Sequence, residues 1–305
     1  MKKLLITGGS GFIGKHVINI FQQKGYEIHV ITTRNLKDDQ ISWHRVNLLD
    51  KTQLEKVMKI IQPTHLIHLA WVVTPGIYKS SIENLRWLEA SLHLLRMFKK
   101  YGGKKVIISG SCSEYKSTAG YCKEEVTLLE PNNLYAKTKC ALRILAEEYC
   151  KQEDIEFVWG RVFYVYGPGE HEKRLVPYVI CSLLKEKVAK CSSGMQLLDY
   201  LYVEDVAEAF SHILEKDVSG EVNIGSGKPI LLKDLIYKIG NMINKTELIS
   251  LQDYKDDVPF TEMYVADNEK IKKNTGWEPK TSLEKGLHKS IEWWAKKEGI
   301  SYDRT

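Results

Sequence analysis

The chain contains no Cys-x-x-Cys pair among its six cysteines, no apolar run of membrane-spanning length, and no block of five or more basic residues. Internal repeats and low-complexity tracts are absent as well. Each absence removes a class of answer. Without a secretory context, Cys112, Cys122, Cys140, Cys150, Cys181 and Cys191 read as free thiols rather than a disulfide framework or zinc site. The apolar run of the opening Met-Lys-Lys-Leu-Leu-Ile stops at Ile6, too short for a signal peptide, so a cytoplasmic protein with no membrane partner is expected. The 44 basic and 39 acidic residues leave a net charge of +5, which does not point to nucleic acid but suits a polyanionic small ligand. At 305 residues, 43% apolar and 27% charged, the chain suits one large domain or two coupled ones.

What is present begins at once. Leu4 to Gly14 read Leu-Leu-Ile-Thr-Gly-Gly-Ser-Gly-Phe-Ile-Gly, an apolar strand entering a turn with glycines at positions 8, 11 and 14. Val17, Ile18, Ile20 and Phe21 then make the following stretch amphipathic. Gly8, Gly11 and Gly14 let the backbone approach a pyrophosphate, and the helix starting near Phe12 and Ile13 aims its unpaired N–H groups and dipole at the same charge.

The first half alternates strands and helices. Strands are predicted over 3–7, 27–33, 42–46, 65–69, 105–109 and 156–163, and helices over 14–24, 51–61, 80–101 and 135–152. This rhythm predicts an α/β fold with a doubly wound parallel (Rossmann) sheet. After Gly167-Pro168-Gly169 the rhythm breaks into turns, helices over 175–185 and 232–243, and a loop over 254–261. We expect a dinucleotide-binding domain over 1–165, with 200–227 returning to it, and a smaller, discontinuous C-terminal substrate domain over 166–305.

Tyr135 and Lys139 stand four apart at the start of a helix and so share one face. A phenol has an ordinary pKa of about 10, so proton exchange near neutrality requires help. The Lys139 cation, together with an oxidised nicotinamide, would favour the phenolate and make Tyr135 a general acid/base for a C–OH/C=O interconversion. Ile107 to Tyr115 end a strand in small hydroxyl residues, Ser111 and Ser113, at the sheet edge where ligands of open α/β sheets bind. The spacing of His65 and His68 invites a metal reading. Residues three apart on a strand face opposite sides, however, and no metal is expected.

Together these residues resemble the extended short-chain dehydrogenase/reductase family, which acts mainly on nucleotide-activated sugars. The resemblance covers nearly the whole length. Beyond the features above it rests on Asn47-Leu48-Leu49-Asp50, His68-Leu69-Ala70, Arg161 through Tyr166-Gly167-Pro168-Gly169, Val203-Glu204-Asp205-Val206-Ala207, Asn223-Ile224-Gly225-Ser226-Gly227 and Gly276-Trp277-Glu278-Pro279. It implies Ser111, Tyr135 and Lys139 as the catalytic set. It also places Gly8, Gly11, Phe12, Ile13, Gly14, Asn47, Leu48, Leu69 and Ala70 around the cofactor, with Asn47 and Leu48 near the adenine.

Relatives preferring NAD end the second strand with an acid that binds the ribose hydroxyls. Here that end reads Ile31-Thr32-Thr33-Arg34-Asn35, and the Arg34 guanidinium suits a 2′-phosphate, favouring NADP(H) with NAD(H) as the alternative. Dehydratases of the family carry an Asp-Glu pair after the catalytic hydroxyl, where this chain has Cys112-Ser113, so 4,6-dehydration is not expected. The favoured reaction is 4-keto reduction of a 4-keto-6-deoxy nucleotide sugar, with NAD-dependent 4-epimerisation as the alternative. A non-catalytic NADP-binding sensor is the reading of another class, although such proteins often lose the Tyr or Lys retained here.

On the substrate side, Trp71, Ser111, Ser113, Tyr135, Tyr164 and Arg174 are the candidates. Tyr164 stands where Asn usually precedes Val-Tyr-Gly, Leu198 replaces an Arg before Asp199-Tyr200, and residues 253–259 lack the usual Arg-x-Gly-Asp run. Arg174 could supply the missing charge. The resemblance also implies a homodimer built on the 80–101 and 135–152 helices. Leu85, Leu88, Leu92 and Leu95 form an apolar stripe that the sheet itself would also require.

Overall fold

The computed structural model describes residues 2–117, 119–252 and 263–302. It opens with β1 (Lys3–Thr7), α1 (Phe12–Gln22), β2 (Glu27–Thr32), β3 (Ser42–Arg45), α2 (Lys51–Ile61), β4 (His65–His68), α3 (Glu83–Lys100) and β5 (Lys105–Ser111). There follow β6 (Gly120–Cys122), α4 (Leu134–Gln152), β7 (Glu156–Val162), β8 (Tyr164–Tyr166), α5 (Leu175–Leu184) and β9 (Ala189–Ser192). Next come β10 (Leu197–Tyr202), α6 (Val203–Glu215), β11 (Gly220–Ile224), β12 (Pro229–Leu231) and α7 (Leu232–Ile243). The series closes with β13 (Ile249–Gln252), β14 (Met263–Ala266), α8 (Glu269–Thr275) and α9 (Leu283–Glu298).

Seven parallel strands form one sheet in the order β11-β7-β5-β4-β1-β2-β3. The central runs Leu4-Leu5-Ile6, Leu66-Ile67 and Val106-Ile107-Ile108 are continuously apolar because both faces of the sheet are covered. On one face α1 and α6 bury Val17, Ile18, Phe21, Val206 and Phe210. On the other, α2, α3 and α4 bury Leu54, Met58, Leu94, Phe98 and Leu142. This is the doubly wound α/β architecture. Because β2 lies to one side of β1 and β4 to the other, the sheet reverses direction of growth between β1 and β4, the place where such sheets bind ligands.

A second sheet, β12-β10-β14-β6 with β8 beside β10, is roofed by α5, α7 and α9. Val179, Leu183, Leu235, Ile239, Leu287 and Trp294 fill its core. The chain contributes β6, β8 and then β10 to this smaller layer, and from β10 returns through α6 to the large sheet at β11.

The differences from the sequence reading have local causes. β5 continues to Ser111 instead of ending at 109, since Ser109, Gly110 and Ser111 pair with Gly160, Arg161 and Val162 of β7. A methyl group on Gly110 would lie 2.2 Å from Trp159 Nε1, so only glycine fits there. The α3 stripe also divides. Leu95 is buried, but Leu85 is 41% exposed, and the sheet is met instead by Ala90, Ser91, Leu94, Leu95 and Phe98. The loop expected over 254–261 and the segment 253–259 lie outside the described residues.

Candidate active site

The β1–α1 turn is built for close approach. Gly8 has φ +73°, and a methyl group on it would lie 2.7 Å from Ala70 N; one on Gly14 would lie 2.2 Å from Gly8 O. Gly11 N donates to Gly8 O at 2.9 Å, closing the turn. Gly11 caps α1 without a side-chain hydrogen bond, so the first-turn N–H groups at Phe12, Ile13 and Gly14 lack intrahelical partners. The edge opposite is β4 running into Leu69 and Ala70, whose N–H groups donate to Thr7 O (3.1 Å) and Thr7 Oγ1 (3.4 Å). This cradle fits the pyrophosphate of a dinucleotide: backbone donors converge on it and no side chain fills it.

At the end of β2, Ser10 Oγ and Thr32 Oγ1 are hydrogen-bonded at 3.0 Å, and Thr32 Oγ1 accepts the Arg34 N–H at 3.1 Å. The exposed Arg34 guanidinium reaches back to Ser10 O at 3.3 Å. Asn47 Oδ1 accepts the Leu49 N–H at 3.1 Å, and Leu48 is buried beside it. His68 shares hydrogen bonds with Thr7 Oγ1 (2.6 Å) and Ser91 Oγ (2.8 Å), and burial, aided by Lys139, lowers its pKa to about 3, keeping it neutral. His65 instead bonds Thr64 Oγ1, so the two rings share nothing. Among the described residues no group of three His, Cys, Asp or Glu is gathered for a metal ion.

Ser111, Tyr135 and Lys139 come together where β5 ends above the start of α4. The Ser111 hydroxyl lies close enough to the Tyr135 phenol to pull its pKa down. Tyr135 packs edge-on against Tyr78, ring centroids 5.0 Å apart. Lys139 Nζ donates to Ser109 O at 2.9 Å and sits 3.9 Å over the Trp71 ring. The expected electrostatics require correction. Burial holds the Tyr135 phenol well above its ordinary value, outweighing the pull of Ser111, and Tyr78, Glu114 and Cys112 push the same way. Lys139, itself lowered to about 7 by burial, donates to Ser109 and sits on Trp71, and it is not among the groups that shift the phenol most. In this state Tyr135 is a proton holder.

Trp71 lies directly beneath Lys139. It is buried, its indole N–H donates to Asn84 Oδ1 at 2.8 Å, and its ring face carries Lys139. Ser113 N–H donates to Ser111 Oγ at 3.2 Å, while the half-buried Ser113 side chain stays at the rim.

Beneath Ser111 lies a charge network that the sequence reading missed. Glu114, wholly buried, accepts the Ser111 N–H (2.7 Å), the Trp159 indole N–H (3.0 Å) and Arg161 Nε (2.8 Å). Arg161 continues to Glu221 and Tyr115, and Tyr115 donates to Asn223 Oδ1 at 2.8 Å. The signal was present as Ser-x-x-Glu, the capping-box spacing, which here closes a single helical turn.

On the opposite side, Tyr164 stacks against Tyr200 at 5.5 Å, and Arg174 lies 5.1 Å over the Tyr78 ring. Tyr78, Tyr200 and Glu170 joined this group without any sign in the sequence pattern.

The family model described as the NAD dependent epimerase/dehydratase family matches residues 4–225. The chain belongs to that family. Within it, the chain is 29% identical over 324 aligned residues to dTDP-D-glucose 4,6-dehydratase from Bos taurus, covering 96% of this chain and 88% of the relative. CDP-abequose synthase from Salmonella typhimurium is 27% identical, covering 94% and 97%. Among solved structures, UDP-glucose 4-epimerase from Thermotoga maritima with UDP-glucose superposes with a TM-score of 0.87 at 25% identity, covering 97% and 99%. The nucleotide-sugar branch of the family is thus where this chain sits.

Proposed function

We propose that this protein reduces the 4-keto group of a nucleotide-activated, 6-deoxy sugar, using NADPH. The observation that carries the reading is the Tyr135 phenol, buried beside Ser111, with burial favouring its protonated form. Reduction of a ketone needs a proton delivered to the developing alkoxide, which such a phenol supplies. When bound, the nicotinamide supplies the hydride to the carbonyl carbon. Gly8, Gly11, Phe12, Ile13 and Gly14 would hold its pyrophosphate, and Leu69 and Ala70 would flank it.

In this reading Ser111 donates to the carbonyl oxygen and Tyr135 Oη gives it a proton. Lys139 holds the strand end through Ser109 and supplies positive charge when protonated. Ser113, Tyr164 and Arg174 stand on the sugar-nucleotide side. The absence of an elimination pair also supports reduction. Cys112 and Ser113 occupy the two positions after Ser111, and the Cys112 thiol is pushed far up by burial. The adjacent carboxylate, Glu114, is committed to Arg161 and Trp159. For the cofactor, Arg34, Ser10 and Thr32 at the end of β2 form a donor cluster suited to a 2′-phosphate.

Epimerisation at C4 is the second reading, and the fold likeness to UDP-glucose 4-epimerase supports it. Supplying NADPH and a 4-keto-6-deoxy nucleotide sugar separates the two. Stoichiometric loss of NADPH absorbance supports the reductase. Interconversion of UDP-glucose and UDP-galactose without net NADPH loss rejects it, as does release of a 4-keto product from a nucleotide glucose.

The assembly we infer is a homodimer. Ile82, at the N-cap of α3, with Leu85 on α3 and Ile144 and Leu145 on α4, is 67%, 41%, 56% and 49% exposed respectively, an apolar surface of the kind that pairing would cover. The six cysteines, all unpaired, fit a reducing cytoplasm.

A further inference from the structure

One carboxyl beside the site has no role in the reaction described above. Glu170 lies in the turn after Gly169, its N–H donating to Gly167 O at 3.3 Å. Its Oε2 is sealed from solvent and has no hydrogen-bond partner. Tyr200 and Arg174 are the charged or titratable groups that sense it. Arg174 nonetheless makes no ion pair with it, its guanidinium being drawn over Tyr78. Tyr78 touches Tyr135, and Tyr200 touches Tyr164. Glu170 therefore belongs to an arc of half-buried side chains, Tyr78, Arg174, Tyr200 and Tyr164, that begins at the phenol.

Native proteins rarely leave a buried carboxyl oxygen unpaired, because it loses water and gains nothing. Burial raises the pKa of Glu170 well above the carboxylate range, and the opposing pull of the Arg174 charge offsets it only in part. A neutral carboxyl both donates and accepts one hydrogen bond, which complements an uncharged hydroxyl or carbonyl. The flanking tyrosine rings supply the apolar faces that a pyranose stacks against.

The geometry points to Glu170 as a sugar-recognition residue, hydrogen-bonding an uncharged oxygen of the hexosyl ring held over Tyr135, while Arg174 beside it takes the anionic part of the same ligand. This rests on the nucleotide-sugar reading above and extends it to one specific contact.

Calorimetric titration of UDP-glucose, dTDP-glucose and CDP-glucose, each against its bare nucleoside diphosphate, tests it with the full chain. Glu170→Ala is expected to weaken the best-bound nucleotide sugar about tenfold, the loss of one hydrogen bond, and leave the matching diphosphate unchanged. Glu170→Gln, which keeps a donor and an acceptor, should restore binding to within about twofold of wild type. Arg174→Ala should weaken both ligands. The melting temperature of Glu170→Gln should not fall, because the substitution keeps the side chain's volume and breaks no hydrogen bond to Oε2. Equal weakening of sugar nucleotide and diphosphate, or no weakening at all, overturns the assignment. So does a Glu170→Gln variant as weak as Glu170→Ala, or a preference for UDP-glucuronate over UDP-glucose that vanishes with Glu170. Failure of the wild-type chain to bind any nucleotide sugar refutes the underlying functional reading instead.

Discussion

The two sides of the candidate site differ in how their polar groups are satisfied. On the sheet side, Ser111, Lys139, Glu114, Arg161 and Trp159 are tied to one another or to backbone over distances of 2.7–3.1 Å. Among the described residues, Arg161 Nη2 is the one atom of that group left buried without a partner; on the loop side, Glu170 keeps a buried oxygen unpaired and Arg174 rests on a ring face instead of an acceptor. The sheet side is pre-organised, as chemistry at a fixed atom requires. The loop side leaves its hydrogen-bonding capacity open, as recognition of a variable ligand requires. In the function proposed above, catalysis and specificity would be separated in space, with Tyr135 at the junction.

The sharpest way to break this comparison is to remove the junction. Tyr135→Phe should lower turnover roughly 10²- to 10⁴-fold, the usual worth of a positioned proton donor, with little change in the binding of either ligand. Steady-state NADPH oxidation with separate kcat and KM values checks it. Survival of full turnover would assign the proton to another group.

The next largest effect concerns the sheet side alone. Glu114→Ala leaves Arg161 short of one counter-charge and strands the N–H groups of Trp159 and Ser111, so a loss of ~3–5 kcal/mol in unfolding free energy is expected. Urea denaturation measures it. A loss below about 1 kcal/mol would mean that water or Glu221 compensates, and that the network is less committed than its distances imply.

Cofactor choice follows. Arg34→Ala should reduce the NADPH-over-NADH preference in kcat/KM roughly 10- to 100-fold, as loss of a charge-assisted phosphate contact implies. An unchanged ratio would reduce Arg34 to a lid on Ser10.

A further effect is a pH dependence. Lys139 is lowered from its ordinary 10.5 to about 7 by burial. Between those values the unfolded chain holds a proton that the folded chain lacks, so this group makes folding more favourable as pH rises from about 7 towards 10.5. Lys139→Met should therefore be more stable than wild type near pH 7, with the difference shrinking by pH 10. A difference independent of pH would show that Lys139 stays charged in the fold.

The sequence was most readable where backbone periodicity and function coincide. Leu4–Gly14 announced strand, turn and helix together because the same glycines that let the backbone pack closely also mark the turn in the sequence. The four-residue spacing of Tyr135 and Lys139 placed both on one face of a helix, but their electrostatics were not legible: the depth of burial and the Trp71 seat of Lys139 are tertiary facts. The same applies to Trp71, expected on the substrate side from its place after Ala70 and lying beneath Lys139. Glu114 could have been found by its Ser-x-x-Glu spacing. Glu170, Tyr78 and Tyr200 could not, since they come from a loop, a turn and a strand far apart in the chain and meet only when the second sheet docks on the first. The short strands of that second sheet were missed for a related reason: three- to six-residue segments such as Gly120–Cys122 and Leu197–Tyr202 carry too few residues for alternation to show.

The most direct test of the central claim uses NADPH deuterated at the transferable position, with a 4-keto-6-deoxy nucleotide sugar and the wild-type chain. The account predicts one deuterium at C4 of the product for each NADPH oxidised, with the label absent when Tyr135→Phe replaces wild type on the same timescale. Product lacking deuterium at C4, or a changed sugar with NADPH unconsumed, would contradict it.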